Sequence, residues 1–188
     1  GDESESSSSS SAPAAITLVA YDSFPKADTP LNAALAEFTA DTGIEVSVVN
    51  AGDTGTMVTK ATLTAGNPEG DVMWGVDNTW LSAALDGDVF DGEPAQVDFG
   101  DVCLNYDIAW FAERGLTPPA TLDDLLLPDY ADLLVVQNPG SSSPGLAFLL
   151  ATVAEYGPEG WQQYWAALRD NGVEAVSYTH LRAHETVL

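Results

Sequence analysis

One pattern recurs three times between residues 16 and 86: a short apolar run, an abrupt polar turn, then a segment with helical periodicity. Ile16-Thr17-Leu18-Val19-Ala20 reads as a buried strand and breaks at Tyr21-Asp22-Ser23-Phe24-Pro25. Ile44–Val49 alternates Ile44, Val46 and Val48 with polar Glu45 and Ser47, the period of a strand. It runs into the glycine-rich turn Asn50–Thr56. A third strand, Asp71–Trp74, ends in Gly75-Val76-Asp77-Asn78. Between the first two strands, Leu31, Ala34, Leu35 and Phe38 predict a helix over 30–41. Thr29 is its N-cap, Pro30 fits its first turn and Gly43 ends it. A second helix is expected over 56–65, with Asp53 or Thr54 as its cap, and a third runs through Leu81, Ala84 and Leu85. Links of this length force parallel strands with right-handed crossovers. The fold class is therefore α/β, a doubly wound parallel sheet. Its loops 21–24, 50–55 and 75–78 share the edge where such sheets hold ligands.

The second part continues the alternation. After a loop over 86–96, Val97–Tyr106 reads as a long strand, with Gly100 inside it allowing a bend between two lobes. A short helix follows over 107–114, Pro118-Pro119 breaks it, and Thr121 caps the segment LDDLLL. Leu133–Gln137 is a buried strand that ends in Asn138-Pro139-Gly140-Ser141-Ser142-Ser143-Pro144-Gly145. Ser143 fits an N-cap and Pro144 position N1 of a helix over 144–156. A serine-rich helix start offers hydroxyls, free N–H groups and a positive dipole end, which suits an anion. The same residues also make an ordinary capped helix, and this loop alone does not separate the two. In the next helix, 158–170, the spacing of Trp161, Tyr164, Trp165 and Leu168 marks core positions; residues 172–176 begin a further strand.

Charge narrows the functions. With 29 acids against 5 bases the net charge is −24, which excludes a nucleic-acid footprint and disfavours anionic lipid. No apolar run reaches the ~18 residues of a membrane span. Cys103 is the only cysteine, so no internal disulfide forms, and its setting in VCLNY marks a small core residue. His180 and His184 are the only histidines, and no metal-ligand cluster is evident. Gly1–Ala15, with six consecutive serines, reads as a flexible tether. A start of Gly-Asp-Glu-Ser before a serine tract is similar to that of a bacterial lipoprotein cut after its lipidated cysteine. Ser177–Leu188, SYTHLRAHETVL, resembles translated sequencing adapter, is read as a non-native tail and is assigned no function.

Four stretches in order carry a resemblance: AYDSF at 20–24, GVDN at 75–78, VDFGDVCLNYD at 97–107 and NPGSSSPGLAFLL at 138–150. Together they resemble the thiamine-binding substrate-binding proteins of bacterial ABC importers, over about residues 16–176. The resemblance implies a type II periplasmic binding protein fold, two lobes with mostly parallel sheets, here truncated. Residues 16–98 would start lobe one and 99–176 lobe two. The 86–96 segment is shorter than the family's, and the family's second half, with further ring-stacking aromatics, has no counterpart.

The resemblance also implies roles. Tyr21 would stack on the pyrimidine ring, and Asp53 would bond its amino group or answer the thiazolium charge. Ser142 would contact phosphate, flanked by Ser141, Ser143 and Gly145. Asp22, Thr54 and Asp77 lie on the same loops and complete the candidate set. The implied ligand is thiamine or a thiamine phosphate and the implied partner an importer permease. No cofactor and no catalysis are expected, and the location would be periplasmic or at the cell surface, held by an N-terminal lipid. The same fold could instead take a polyamine, an aminophosphonate or ferric iron. A serine hydrolase using Ser142 is the reading from another class. It lacks a Gly-x-Ser-x-Gly elbow and any histidine before residue 177.

Overall fold

A computed structural model describes residues 14–176. Most of the expected tether and all of Ser177–Leu188 lie outside them. Ala15 belongs to the first strand rather than to the tether.

The first sheet has three parallel strands, β1 (Ala15–Ala20), β2 (Glu45–Asn50) and β3 (Val72–Trp74), in the order β2-β1-β3. Helix α1 (Pro30–Thr42) links β1 to β2, and α2 (Thr54–Leu63) links β2 to β3. Thr29 caps α1 in a reciprocal box: its hydroxyl accepts from the Asn32 N–H at 3.4 Å, and the Asn32 amide oxygen accepts from the Thr29 N–H at 3.2 Å. Gly43, at φ 74°, stops the helix in the left-handed region. The period of two in β1 sends Leu18 and Ala20 to one face and Val19 to the other. Leu18 and Ala20 pack with Phe24, Leu31 and Leu35; Val19 packs with Ala51 and Met57. Helices thus cover both faces, as a parallel sheet requires.

Helix α3 (Leu81–Asp86) follows β3, and α4 (Ile108–Glu113) starts after a long irregular segment, capped by the Asp107 side chain. Two single 3-10 turns, Asp123–Leu126 and Pro128–Tyr130, precede β4 (Val135–Gln137). Helix α5 (Ser143–Asp170) is interrupted at Gly157, whose φ of 72° breaks the helical geometry before Pro158. It returns the chain to β5 (Glu174–Val176), which pairs with β4 in parallel as a separate sheet. Leu125, Tyr164 and Leu168 form the core beneath it, so two of the four expected helix positions are buried.

One expected element is absent. Residues 97–106 form no strand. The local alternation suits one, but a strand exists only when a neighbour completes its hydrogen-bond ladder. Among the described residues none pairs with it, and Phe99 is 91% exposed and Val97 63%. Cys103, expected in a core, is exposed for the same reason.

Candidate functional site

The strands of the first sheet end at one level, because Ala20 is in register with both Asn50 and Trp74. The polar turns that follow are therefore delivered to one edge, and hydrogen bonds to backbone carbonyls tie them together. The Asp22 N–H donates to the Gly52 carbonyl at 3.0 Å, and the Thr54 hydroxyl donates to the Gly75 carbonyl at 3.1 Å. Tyr21 lies with its ring against the bare α-carbon of Gly75: a Cβ there would fall 2.7 Å from the ring's Cγ. Gly75 has φ 112°, so glycine is required twice over at this position. Half-buried Tyr21 also packs against the apolar clusters on both faces of the sheet.

The fourth turn arrives from the second sheet. Asp53 occupies the N-cap position of α2, yet its carboxylate makes no capping bond. It accepts instead from the Ser141 hydroxyl at 3.1 Å, while the Gly55 N–H donates to the Ser141 carbonyl at 2.9 Å. These two bonds join loops 88 residues apart. Asp77 shares the edge but spends its carboxylate locally, on the N–H and hydroxyl of Thr79 at 2.8 and 2.6 Å.

The helix start at 142–145 departs from expectation by one residue. Ser142, not Ser143, is the N-cap of α5, and Pro144 is the second helical residue rather than the first. Ser142 has the extended backbone an N-cap needs, and its hydroxyl reaches the Gly145 N–H at 3.4 Å. That hydroxyl also donates to the Gln137 side-chain oxygen, and Ser142 is buried. A carboxamide is no general base, so the arrangement gives Ser142 a structural partner rather than an activating one. The Ser143 hydroxyl is buried with no hydrogen-bond partner among the described residues. Gly145 sits against β4, where a Cβ would meet the carbonyl carbons of Gln137 and Asn138 at 2.8 and 2.9 Å.

Trp80 was not singled out from the sequence. Its indole lies over Gly55 beside Ser141, and its N–H is buried without a partner among the described residues. The available signal was an aromatic residue directly after the Asp77–Thr79 turn, beside a neighbouring loop in which one glycine stood where a side chain would otherwise sit.

Two concavities lie elsewhere. One, of about 320 Å³, is lined by Tyr106, Trp110, Phe111 and Tyr130 among others. The other, about 260 Å³, lies between Phe24, Lys26, Asn32 and Asn50. Neither is lined by any of the nine candidate residues. Among the described residues no three His, Cys, Asp or Glu side chains are grouped to hold a metal ion, and no helix is long and apolar enough to cross a membrane.

Residues 84–186 match the family described as "Bacterial extracellular solute-binding protein". A thiamine-binding periplasmic protein of Salmonella typhimurium (strain LT2) is 29% identical over 164 residues, covering 79% of this chain and 50% of that protein. One of the same name from Escherichia coli (strain K12) is 27% identical with the same coverage. The chain thus spans about half the length of the curated relatives it matches. A solved structure titled "Periplasmic thiamin binding protein" aligns with a TM-score of 0.72 at 24% identity, over 88% of this chain and 56% of that one. Its likeness is one of fold: α/β with parallel sheets, as the order of elements predicts.

Proposed function

The chain belongs to the bacterial extracellular solute-binding proteins, and from that premise we propose that it binds thiamine or a thiamine phosphate for delivery to an ABC importer. The reading places the protein outside the cytoplasmic membrane, assigns it no chemical step and names the importer's permease as its partner. The relatives' names support the ligand. The observation that carries the reading is the joint at the strand ends, where four loops are tied: Tyr21 lies on Gly75, Thr54 bonds the Gly75 carbonyl, and Asp53 beside it accepts from Ser141.

Thiamine is a cation of two aromatic rings joined by a methylene, one ring charged and the other bearing an amino group. A half-buried carboxylate whose bonding partner is a neutral hydroxyl suits such a ligand. Asp53 can give up Ser141 and accept from the ligand's amino group, or answer its ring charge. An aromatic face on a cation contributes about 0.5–2 kcal/mol, the role proposed for Tyr21. Ser141, Ser142, Ser143 and the Gly145 N–H, at the positive end of α5, are the groups proposed to receive a phosphate, with Ser143 the hydroxyl that has no competing partner among the described residues. Asp22 and Asp77 add negative charge to the same edge, and the −24 of the whole chain would draw a cation towards it. A tethered position at the membrane through an N-terminal lipid belongs to the same proposal.

Isothermal titration with thiamine, thiamine monophosphate and spermidine tests the reading. Thiamine should give saturable heat, weakened about tenfold or more by Asp53→Ala, the equivalent of ~1.4 kcal/mol. Tyr21→Ala should weaken it as well. Silence towards both thiamine compounds, with heat from spermidine, would replace the ligand while leaving the family intact.

A further inference from the structure

We propose that Trp80 is a positioning residue: its indole, wedged on Gly55, holds the loop after β2 where Gly55 and Asp53 can grip Ser141. The inference deepens the solute-binding reading, because Asp53 and Ser141 belong to the proposed ligand set.

Gly55 is sandwiched. A Cβ there would fall 2.5 and 2.7 Å from Trp80 Cζ2 and Cη2, and 2.9 Å from the Ser141 carbonyl oxygen. No side chain larger than hydrogen fits between the indole and the Ser141 backbone. The backbone that carries the ring is fixed by its own turn. The Trp80 backbone N–H donates to the Asp77 carbonyl at 3.1 Å, the Trp80 carbonyl accepts from the Ala84 N–H at 3.1 Å, and the Asp77 carboxylate braces the turn through Thr79. Position is therefore relayed from the loop after β3, through the indole, to Gly55, and across 2.9 Å to the loop after β4. The buried indole N–H makes no hydrogen bond among the described residues, so the ring acts by shape. Removing it leaves a void beside Gly55 into which the loop can relax, which loosens the Gly55–Ser141 bond and lets the Asp53 carboxylate swing off Ser141.

The test is amide hydrogen exchange on the 188-residue chain without ligand, following Gly55 with Leu18 in β1 as the reference for global opening. Trp80→Ala should speed exchange at Gly55 by roughly tenfold or more relative to Leu18, a local opening. Trp80→Phe lacks the fused-ring atoms Cζ2 and Cη2 that meet Gly55, so it too should speed exchange at Gly55 while keeping an aromatic ring in the turn. Equal acceleration at Gly55 and Leu18, or full protection of Gly55 in Trp80→Phe, would make Trp80 an ordinary packing residue and overturn the proposal. Should Trp80→Ala not fold, Trp80→Leu carries the same comparison. Thiamine titration of the wild-type chain separates the two readings. Local loosening at Gly55 in a chain that gives no thiamine heat sinks the ligand and keeps the positioning role. Thiamine heat with an unprotected Gly55 does the reverse.

Discussion

Replacing Gly145 by alanine tests how tightly the serine-bearing helix start is held against its strand. The added Cβ would lie 2.8 Å from the Gln137 carbonyl carbon and 2.9 Å from that of Asn138, and closest to the Gln137 oxygen. Ordinary contact begins near 3.4 Å, so the start of α5 must back away from β4 by half an ångström or more. The obstacle is backbone, which cannot rotate aside. Overpacking of this kind costs about 1–3 kcal/mol. Moving residue 145 also stretches the Ser142 capping bond, already 3.4 Å long, and losing a cap costs about 1 kcal/mol. Alanine returns up to ~1 kcal/mol because it loses less backbone entropy than glycine. The net expectation is a destabilisation of about 1–3 kcal/mol. In urea, followed by tryptophan fluorescence, a 2 kcal/mol loss with a slope near ~2 kcal/mol/M moves the midpoint down by about 1 M at unchanged slope. Gly100→Ala is the control: nothing lies within 4 Å of the Cβ it would add, so its midpoint should barely move. A Gly145→Ala midpoint equal to or above wild type would refute the argument that helix and strand approach too closely for any side chain.

Two further outcomes are expected. Thr152 is fully buried, accepts from the Trp165 indole N–H at 2.8 Å and donates to the Leu149 carbonyl at 2.6 Å. Thr152→Val keeps the shape but strands the indole, so it should cost about 1–3 kcal/mol, and adding Trp165→Phe should recover part of that loss; strictly additive losses would count against the bond. Burial, then the bond and charge of Asp123, push the Tyr156 hydroxyl up to about 12, and burial raises Tyr164 beside it. Because an unfolded tyrosine ionises near ~10, the stability tied to Tyr156 is complete below that pH and is lost as pH rises towards 12. Ultraviolet titration should show a tyrosine step near 12, and Tyr156→Phe should remove that step while leaving the later one of Tyr164; an unchanged profile would contradict the assignment.

What the sequence determined by itself was local. The two-residue period of Leu18, Val19 and Ala20, the Thr29-Pro30 start and the Gly43 stop each depend on groups within a few residues, so strands, helices and the order α/β could be read from them. Equal strand ends then put the loops at 21–24, 50–55 and 75–78 on one edge, as the pattern implied. Where the reading missed, the deciding partner was distant or missing. Val97–Tyr106 has a strand's alternation, but a ladder needs a neighbour, and none of the described residues supplies one. At the start of α5 three adjacent serines could each cap, and it is the Ser142 hydroxyl that reaches the Gly145 N–H while donating to Gln137. The link from Asp53 to Ser141, and the place of Trp80 beside it, were decided only in three dimensions. Dihedral preferences and periodicity act along the chain, whereas contacts across 88 residues exist only once two sheets have packed and set the distance between their loops.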